Sequence, residues 1–223
     1  LLHMVKQEHY LQAIIGDEKF WRACPAYFMC DTPLDTDVGA GPLMNQDLET
    51  ASRLLKEGGY NGETLILMDP TDIPVLHGAS LVTAQMLRKI GAKVEVQAMD
   101  WSTLTSRRAE TKSIADGGWN IFHTYSTGAD VASPIANIGV SGGCVEEAWF
   151  GWPCDKMLED LRDQFSRESD PAKQVEIGIA LQKRAYEVVP YVNYGQWFQP
   201  TAYRTSLKGV LISPVPFFWN IEK

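Results

Sequence analysis

The feature that most constrains this chain is one strand–helix–strand run between Glu63 and Met99. Residues 63–68 (ETLILM) form a short apolar stretch bounded by turn residues, the pattern of a buried strand. Asp72 and Pro74 then open a helix whose predicted apolar stripe is Val75, Ala79, Val82, Met86 and Ile90, closed by Gly91. Residues 93–99 (KVEVQAM) alternate polar and apolar side chains, as a half-buried strand does. Strand, helix and strand in this order imply a right-handed βαβ crossover with a parallel pair. The fold class is therefore α/β.

Other elements are predicted around this unit. The opening LLHMVKQEHYLQAIIGD places Met4, His9 or Tyr10, Ala13 and Ile14 at helical spacing, and lacks the basic start and cleavage site of a signal peptide. It reads as the middle of an amphipathic helix, so a fragment is expected, with any export signal upstream. Residues 20–46 are rich in Pro, Gly and Asp and read as a long ordered loop. Asn45 or Asp47 caps a helix through Leu48, Ala51, Leu54 and Leu55, which Gly58 and Gly59 stop. A short helix is expected over 101–112, and Gly117-Gly118 turns the chain into WNIFHTY, a third strand. Ala129–Ile138 and Asp155–Phe165 read as helices, as does Pro171–Val188 behind an Asp170 cap. YVNYGQWF reads as a strand and SPVPFFWNIEK as an extended tail.

Bulk properties narrow the partners. The chain has 223 residues and a formal charge of −8, which disfavours nucleic acid and anionic membrane surfaces, because both attract basic patches. No run of ~18 apolar residues is present to span a bilayer. The four cysteines fall in two close pairs, Cys24/Cys30 and Cys144/Cys154. Two local disulfides are the favoured reading. A four-cysteine zinc site is the alternative, although both spacings exceed the usual two to four intervening residues.

Signatures of chemistry are sparse. There is no Gly-x-Gly-x-x-Gly after the first strand, no phosphate-binding loop and no Gly-x-Ser-x-Gly elbow. The histidines (3, 9, 77, 123) are scattered without metal-binding spacing, so neither a metal nor a cofactor is expected. His123 reads as a hydrogen-bonded strand histidine. What stands out is aromatic clustering outside helices: Trp119, Phe122 and Tyr125; Trp149, Phe150 and Trp152; and Tyr191, Tyr194, Trp197 and Phe198. Core packing accounts for most aromatics. The Trp149–Trp152 loop between two cysteines is a poor candidate for a central core, and its rings suit a ligand cleft.

Three stretches, DLETASRLLKEGGYNGETLILM, ASLVTAQMLRKIGAKVEVQAMDWSTLTSRR and DGGWNIFHTYSTGADVASP, together resemble the family 5 extracellular solute-binding proteins, which include dipeptide-, oligopeptide- and nickel-binding proteins of ABC importers. Gln174–Pro190 is similar to that family's long helix ending in proline, and YRTSLKGV to its return segment. The resemblance implies the carboxy-terminal lobe of a type II periplasmic binding protein, a mixed sheet flanked by helices, about half of a two-lobed whole. Residues 1–205 would form the ligand-binding lobe and 206–223 a return segment toward the amino-terminal lobe, with a hinge near Ser206–Val210. It also implies a non-enzymatic periplasmic protein that captures a small solute or peptide and delivers it to permease subunits, and a disulfide between Cys144 and Cys154. Ligand contacts are expected from Trp119, Phe122, Tyr125, Asp130 and Trp149. In peptide-binding relatives an aspartate three residues beyond the Gly-Trp tryptophan holds the ligand's ammonium; Phe122 occupies that position here, with Asp130 nearby as a substitute. Two rival readings are a hydrolase using His123 with Asp130 and a sensor or chaperone-type relative that recruits a protein partner.

Overall fold

A computed structural model describes residues 1–213 and 217–223. The βαβ unit is its centre. Strand β2 (Thr64–Pro70) and strand β3 (Lys93–Met99) run parallel in register from Thr64↔Lys93 to Pro70↔Met99, joined by helix α4 (Pro74–Lys89). Pro74 stands in the first turn of α4, where its missing N–H costs nothing. The buried face of α4 is wider than the predicted stripe, taking in Leu76, Ser80, Thr83, Ala84 and Leu87 beside Ala79 and Met86, while Val75 and Val82 are only half-buried. The cause is a second neighbour: helix α1 (Gln7–Ile14) packs on the side of α4 away from the strands. There Tyr10 Oη and Thr83 Oγ1 share a 2.8 Å hydrogen bond, which satisfies both polar atoms in the core.

Several sequence expectations are corrected. The opening segment is not one continuous helix: a 3₁₀ turn (Leu2–Met4) precedes α1, and His9 and Ala13 are exposed. Gln7 takes the inward position instead, bonding both the Cys24 carbonyl and the Cys24 N–H, at 2.9 and 2.8 Å. Asp72 does not cap α4; it accepts the Trp101 N–H at 2.8 Å. Helix α5 (Trp101–Arg107), capped by Asp100, ends five residues before 112, because no large apolar side chain occurs between Leu104 and Ile114 to bury. WNIFHTY contributes a single parallel bridge, Leu67↔Ile121, rather than a full strand. Ala129–Ile138 forms two 3₁₀ turns, Gly128–Val131 and Ile138–Val140, since Pro134 lacks the N–H a helix needs and disfavours helical backbone before it.

YVNYGQWF is a strand only at β4 (Gln196–Trp197), antiparallel to β1 (Trp21–Arg22). Gly195 interrupts it at φ +105°, where a Cβ would meet Leu11 Cδ1 at 2.5 Å and the Arg22 carbonyl at 3.0 Å. The strands thus form one parallel and one antiparallel pair, flanked by helices. Asp47, not Asn45, caps α3 (Leu48–Glu57), and Gly58-Gly59 follow its end. The long loop contains one short helix, α2 (Gly41–Met44). Helix α6 (Cys144–Glu147) opens the second cysteine loop, and α7 (Lys156–Arg167) leads to α8 (Pro171–Val188). Fully buried Gln182 of α8 accepts the Tyr27 N–H at 3.1 Å and donates to the Thr36 and Val38 carbonyls, so a helix supplies partners the loop lacks. The cysteines form two disulfides, Cys24–Cys30 and Cys144–Cys154, with Cα separations of 6.0 and 4.1 Å, which excludes a shared zinc site. Among the described residues no helix is long and apolar enough to cross a membrane. Residues 214–216 of the expected extended tail lie outside the described residues; Lys208 before them and Glu222 after them form an antiparallel bridge.

Asp155 is a test point for this architecture. Its carboxylate caps α7 through the Leu158 N–H at 2.9 Å and binds Arg184 of α8 at 2.5 and 3.1 Å. The Arg184 hydrogen bonds hold its carboxyl below the usual carboxylate range. Asp155→Ala should cost about 2 kcal/mol in urea unfolding at neutral pH, and Asp155→Asn, which keeps a capping oxygen, about 1 kcal/mol. Because the folded carboxyl titrates low, both differences should be complete above about pH 4 and shrink below it.

Candidate functional site

The segment after the Gly117-Gly118 turn is latched to β2 by four hydrogen bonds. The Ile66 carbonyl accepts from the Asn120 and Ile121 N–H groups at 3.0 and 3.1 Å, the Ile121 carbonyl accepts from Met68 at 2.9 Å, and Asn120 Oδ1 accepts from Ile66 at 2.8 Å. The asparagine amide does the work of a backbone carbonyl, which is why the expected strand shrinks to one bridge. On either side of this latch stand Trp119 and Phe122, edge to face with ring centres 5.0 Å apart.

The second cysteine loop comes to meet them. Its base is fixed by the Cys144–Cys154 disulfide, by the Cys144 N–H on the Pro153 carbonyl at 3.0 Å and by the Asp155 N–H on the Gly142 carbonyl at 2.9 Å. Glu159 of α7 anchors the same base, accepting from the Gly142 N–H at 2.6 Å and Ser141 Oγ at 2.9 Å. So held, the loop sets Trp149 5.8 Å from Phe122, Trp152 5.7 Å from Trp119, and Phe150 5.4 Å from Trp149. The Arg108 guanidinium, just past α5, lies within 6 Å of Trp101, Phe122, Trp149 and Phe150. Burial pushes its pKa down. Arg108 Nε and Trp119 Nε1 are buried donors without partners among the described residues. Neither of two shallow grooves elsewhere, beside Leu48–Lys56 and beside Ser102–Lys112, includes these rings, and the cluster forms a face of half-buried aromatics.

Of the expected contact residues, the structure thus gathers Trp119, Phe122 and Trp149. Tyr125 lies outside this cluster, exposed, against Trp197 at 5.6 Å. Asp130 sits on an exposed 3₁₀ turn, where its Oδ2 accepts from the Thr127 N–H and hydroxyl, each at 2.8 Å, in a capping box. His123 is buried against Tyr194 at 5.6 Å, and its Nε2 has no partner among the described residues, so the hydrogen-bonded strand histidine expected from sequence lacks a partner at that nitrogen. Sequence reasoning missed Arg108. Its only sequence signal is a second arginine at a helix end, and nothing local shows which of Arg107 and Arg108 turns to the rings.

No family model matches the chain. It is 33% identical over 224 residues to a probable peptide ABC transporter periplasmic-binding protein of Sinorhizobium fredii, covering 100% of this chain and 42% of that protein. The fold is shared with a putative peptide-binding protein, AppA, of Clostridium difficile at TM-score 0.73 and 16% identity, over 93% of this chain and 42% of that one. It is shared also with Staphylococcus aureus NikA, solved with Ni(L-His)2, at TM-score 0.68 and 15% identity, over 96% of this chain and 44% of that one. The Bacillus subtilis oligopeptide-binding protein AppA, solved with a nonapeptide, matches at TM-score 0.64 and 15% identity over the same shares. The chain therefore spans less than half the length of these relatives.

Burial lowers the His123 pKa to about 4 from an ordinary 6.5. Between those values the unfolded chain binds the proton and the folded chain does not, so acidification should destabilise the fold across that window. The loss should approach roughly 3 kcal/mol near pH 4. His123→Gln should flatten the pH dependence of urea unfolding between pH 6.5 and 4; an unchanged slope would show that His123 is protonated in the fold.

Proposed function

The chain is a relative of the family 5 extracellular solute-binding proteins and matches a carboxy-terminal portion of them; from that premise we propose that it is one lobe of the periplasmic substrate-binding component of an ABC importer. The complete protein captures a small solute, a peptide or peptide-like compound, between this lobe and an amino-terminal lobe, and delivers it to the permease. The observation that carries this reading is the match over the whole chain to a probable peptide ABC transporter periplasmic-binding protein.

The face built from Trp119, Phe122 and Trp149 is the proposed ligand surface of this lobe. Rigid rings with polar tips bury ligand surface at little conformational cost. Tyr125 and Asp130, which stand apart from that cluster, are proposed as further ligand contacts, and Asp130 Oδ1, unlike Oδ2, carries no hydrogen bond among the described residues. The proposed return segment toward the other lobe is 206–223, of which residues 206–213 and 217–223 are described. Phe218 and Trp219, 77% and 79% exposed, support that assignment, because two such neighbouring rings gain by burial against a partner surface. Gly209, at φ +68° beside the Lys208–Glu222 bridge, lies in the proposed hinge near Ser206–Val210. The hydrolase reading finds little support, since His123 is buried and Asp130 is engaged in its own turn.

Lobe closure predicts a smaller radius of gyration in small-angle scattering when the full-length protein, stripped of solute by unfolding and refolded, is given that solute back. Binding seen by calorimetry with no compaction would contradict closure. Trp149→Ala should weaken binding about tenfold or more, as loss of a central aromatic contact does.

A further inference from the structure

Two arginines stand side by side at the end of α5, and the fold uses them differently. Arg107 is engaged by the protein on all three nitrogens: it donates to Gln97 Oε1 at 2.6 Å and to the Gly117 and Gly118 carbonyls at 3.0 and 3.1 Å. The Arg108 guanidinium donates to no acceptor and pairs with no carboxylate among the described residues. Glu110, the acid closest to it in sequence, pairs with Lys112 at 2.8 Å. Around Arg108 there are rings instead, with centres 4.5 Å (Phe150), 5.3 Å (Trp149), 5.5 Å (Trp101) and 5.8 Å (Phe122) from the guanidinium carbon.

Aromatic faces stabilise a cation through their quadrupole, but they give its in-plane N–H groups no oxygen acceptor. A guanidinium carries five such donors in a rigid fork that matches a carboxylate in bidentate fashion. A charge partly removed from water, with no carboxylate partner among the described residues, is the arrangement an incoming anion completes. We propose that Arg108 is the specificity-determining residue of the solute site, receiving a ligand carboxylate on its guanidinium while Phe122 and Trp149 cover the apolar part of the ligand beside it. The inference rests on the reading of the aromatic face as a solute-binding surface, and it names the ligand class: a small organic acid or peptide recognised by a carboxylate rather than by an ammonium group.

The test uses the full-length protein stripped of bound solute, calorimetry, and three probes: trialanine, N-acetyltrialanine and trialanine amide. The two carboxylates should bind within about threefold of each other, and the amide roughly ten- to a hundredfold more weakly. Arg108→Gln should abolish that carboxylate advantage, and Arg108→Lys, which keeps charge but not the planar fork, should reduce it. The ratio between probes does not depend on the fraction of variant that folds, so a purely structural Arg108 leaves it unmoved. Equal binding of the amide, or a ratio unchanged in Arg108→Gln, overturns the proposal. If none of the three binds, native mass spectrometry of the protein as purified decides. A retained solute bearing a carboxylate, and lost from Arg108→Gln, supports the proposal. A retained solute without an acidic group overturns it while leaving the solute-binding reading intact. The absence of any retained solute counts against both.

Discussion

The arrangement of the proposed ligand face depends on the latch between Ile66–Met68 and Asn120–Ile121. β2 is paired along its length on one side, with β3. On its other side the bridge at Ile121 satisfies backbone groups of β2 that burial would otherwise leave without water. Asn120 makes the latch local: its side-chain oxygen caps the Ile66 N–H and ends the pairing there. Because the pairing stops, the chain leaves the sheet within a residue or two on each side, and Trp119 and Phe122 are free to stand edge to face. A longer strand would alternate these side chains across two faces instead.

The other half of the face is held by a disulfide and by hydrogen bonds. The Cys144–Cys154 disulfide and Glu159 fix the base of a loop that could not hold two tryptophans in place through backbone pairing alone. Arg108 is the element common to both halves, since it lies over Phe122 from the latched segment and over Trp149 and Phe150 from the loop. The result is an aromatic face with a cation at its centre and two buried donors without acceptors among the described residues. Buried donors without partners call for an explanation, and the proposed meeting of this face with a solute supplies one.

Much of the scaffold was legible in the sequence because its periodicities are local. The βαβ unit, the Asp170-capped α8 with its stated bounds, the Asp47 alternative for α3 and both cysteine pairs were all readable from spacing and turn residues. What was not legible depends on contacts distant in sequence. The wide buried face of α4 needs α1, sixty residues earlier, and the shortened third strand needs an asparagine side chain to substitute for a carbonyl. For the site, the aromatic clusters were visible as composition, and three of the five expected contact residues converge. The choice of Arg108 over Arg107 follows from which of them finds carbonyl partners after the chain turns at Gly117 and Gly118, and no local pattern encodes that.

A crystal structure of the full-length protein with its solute tests the central claim most directly. The solute is expected between two lobes, against Trp119, Phe122 and Trp149, with an acidic group on Arg108. A solute bound elsewhere, with the aromatic face buried directly against the other lobe, would contradict it.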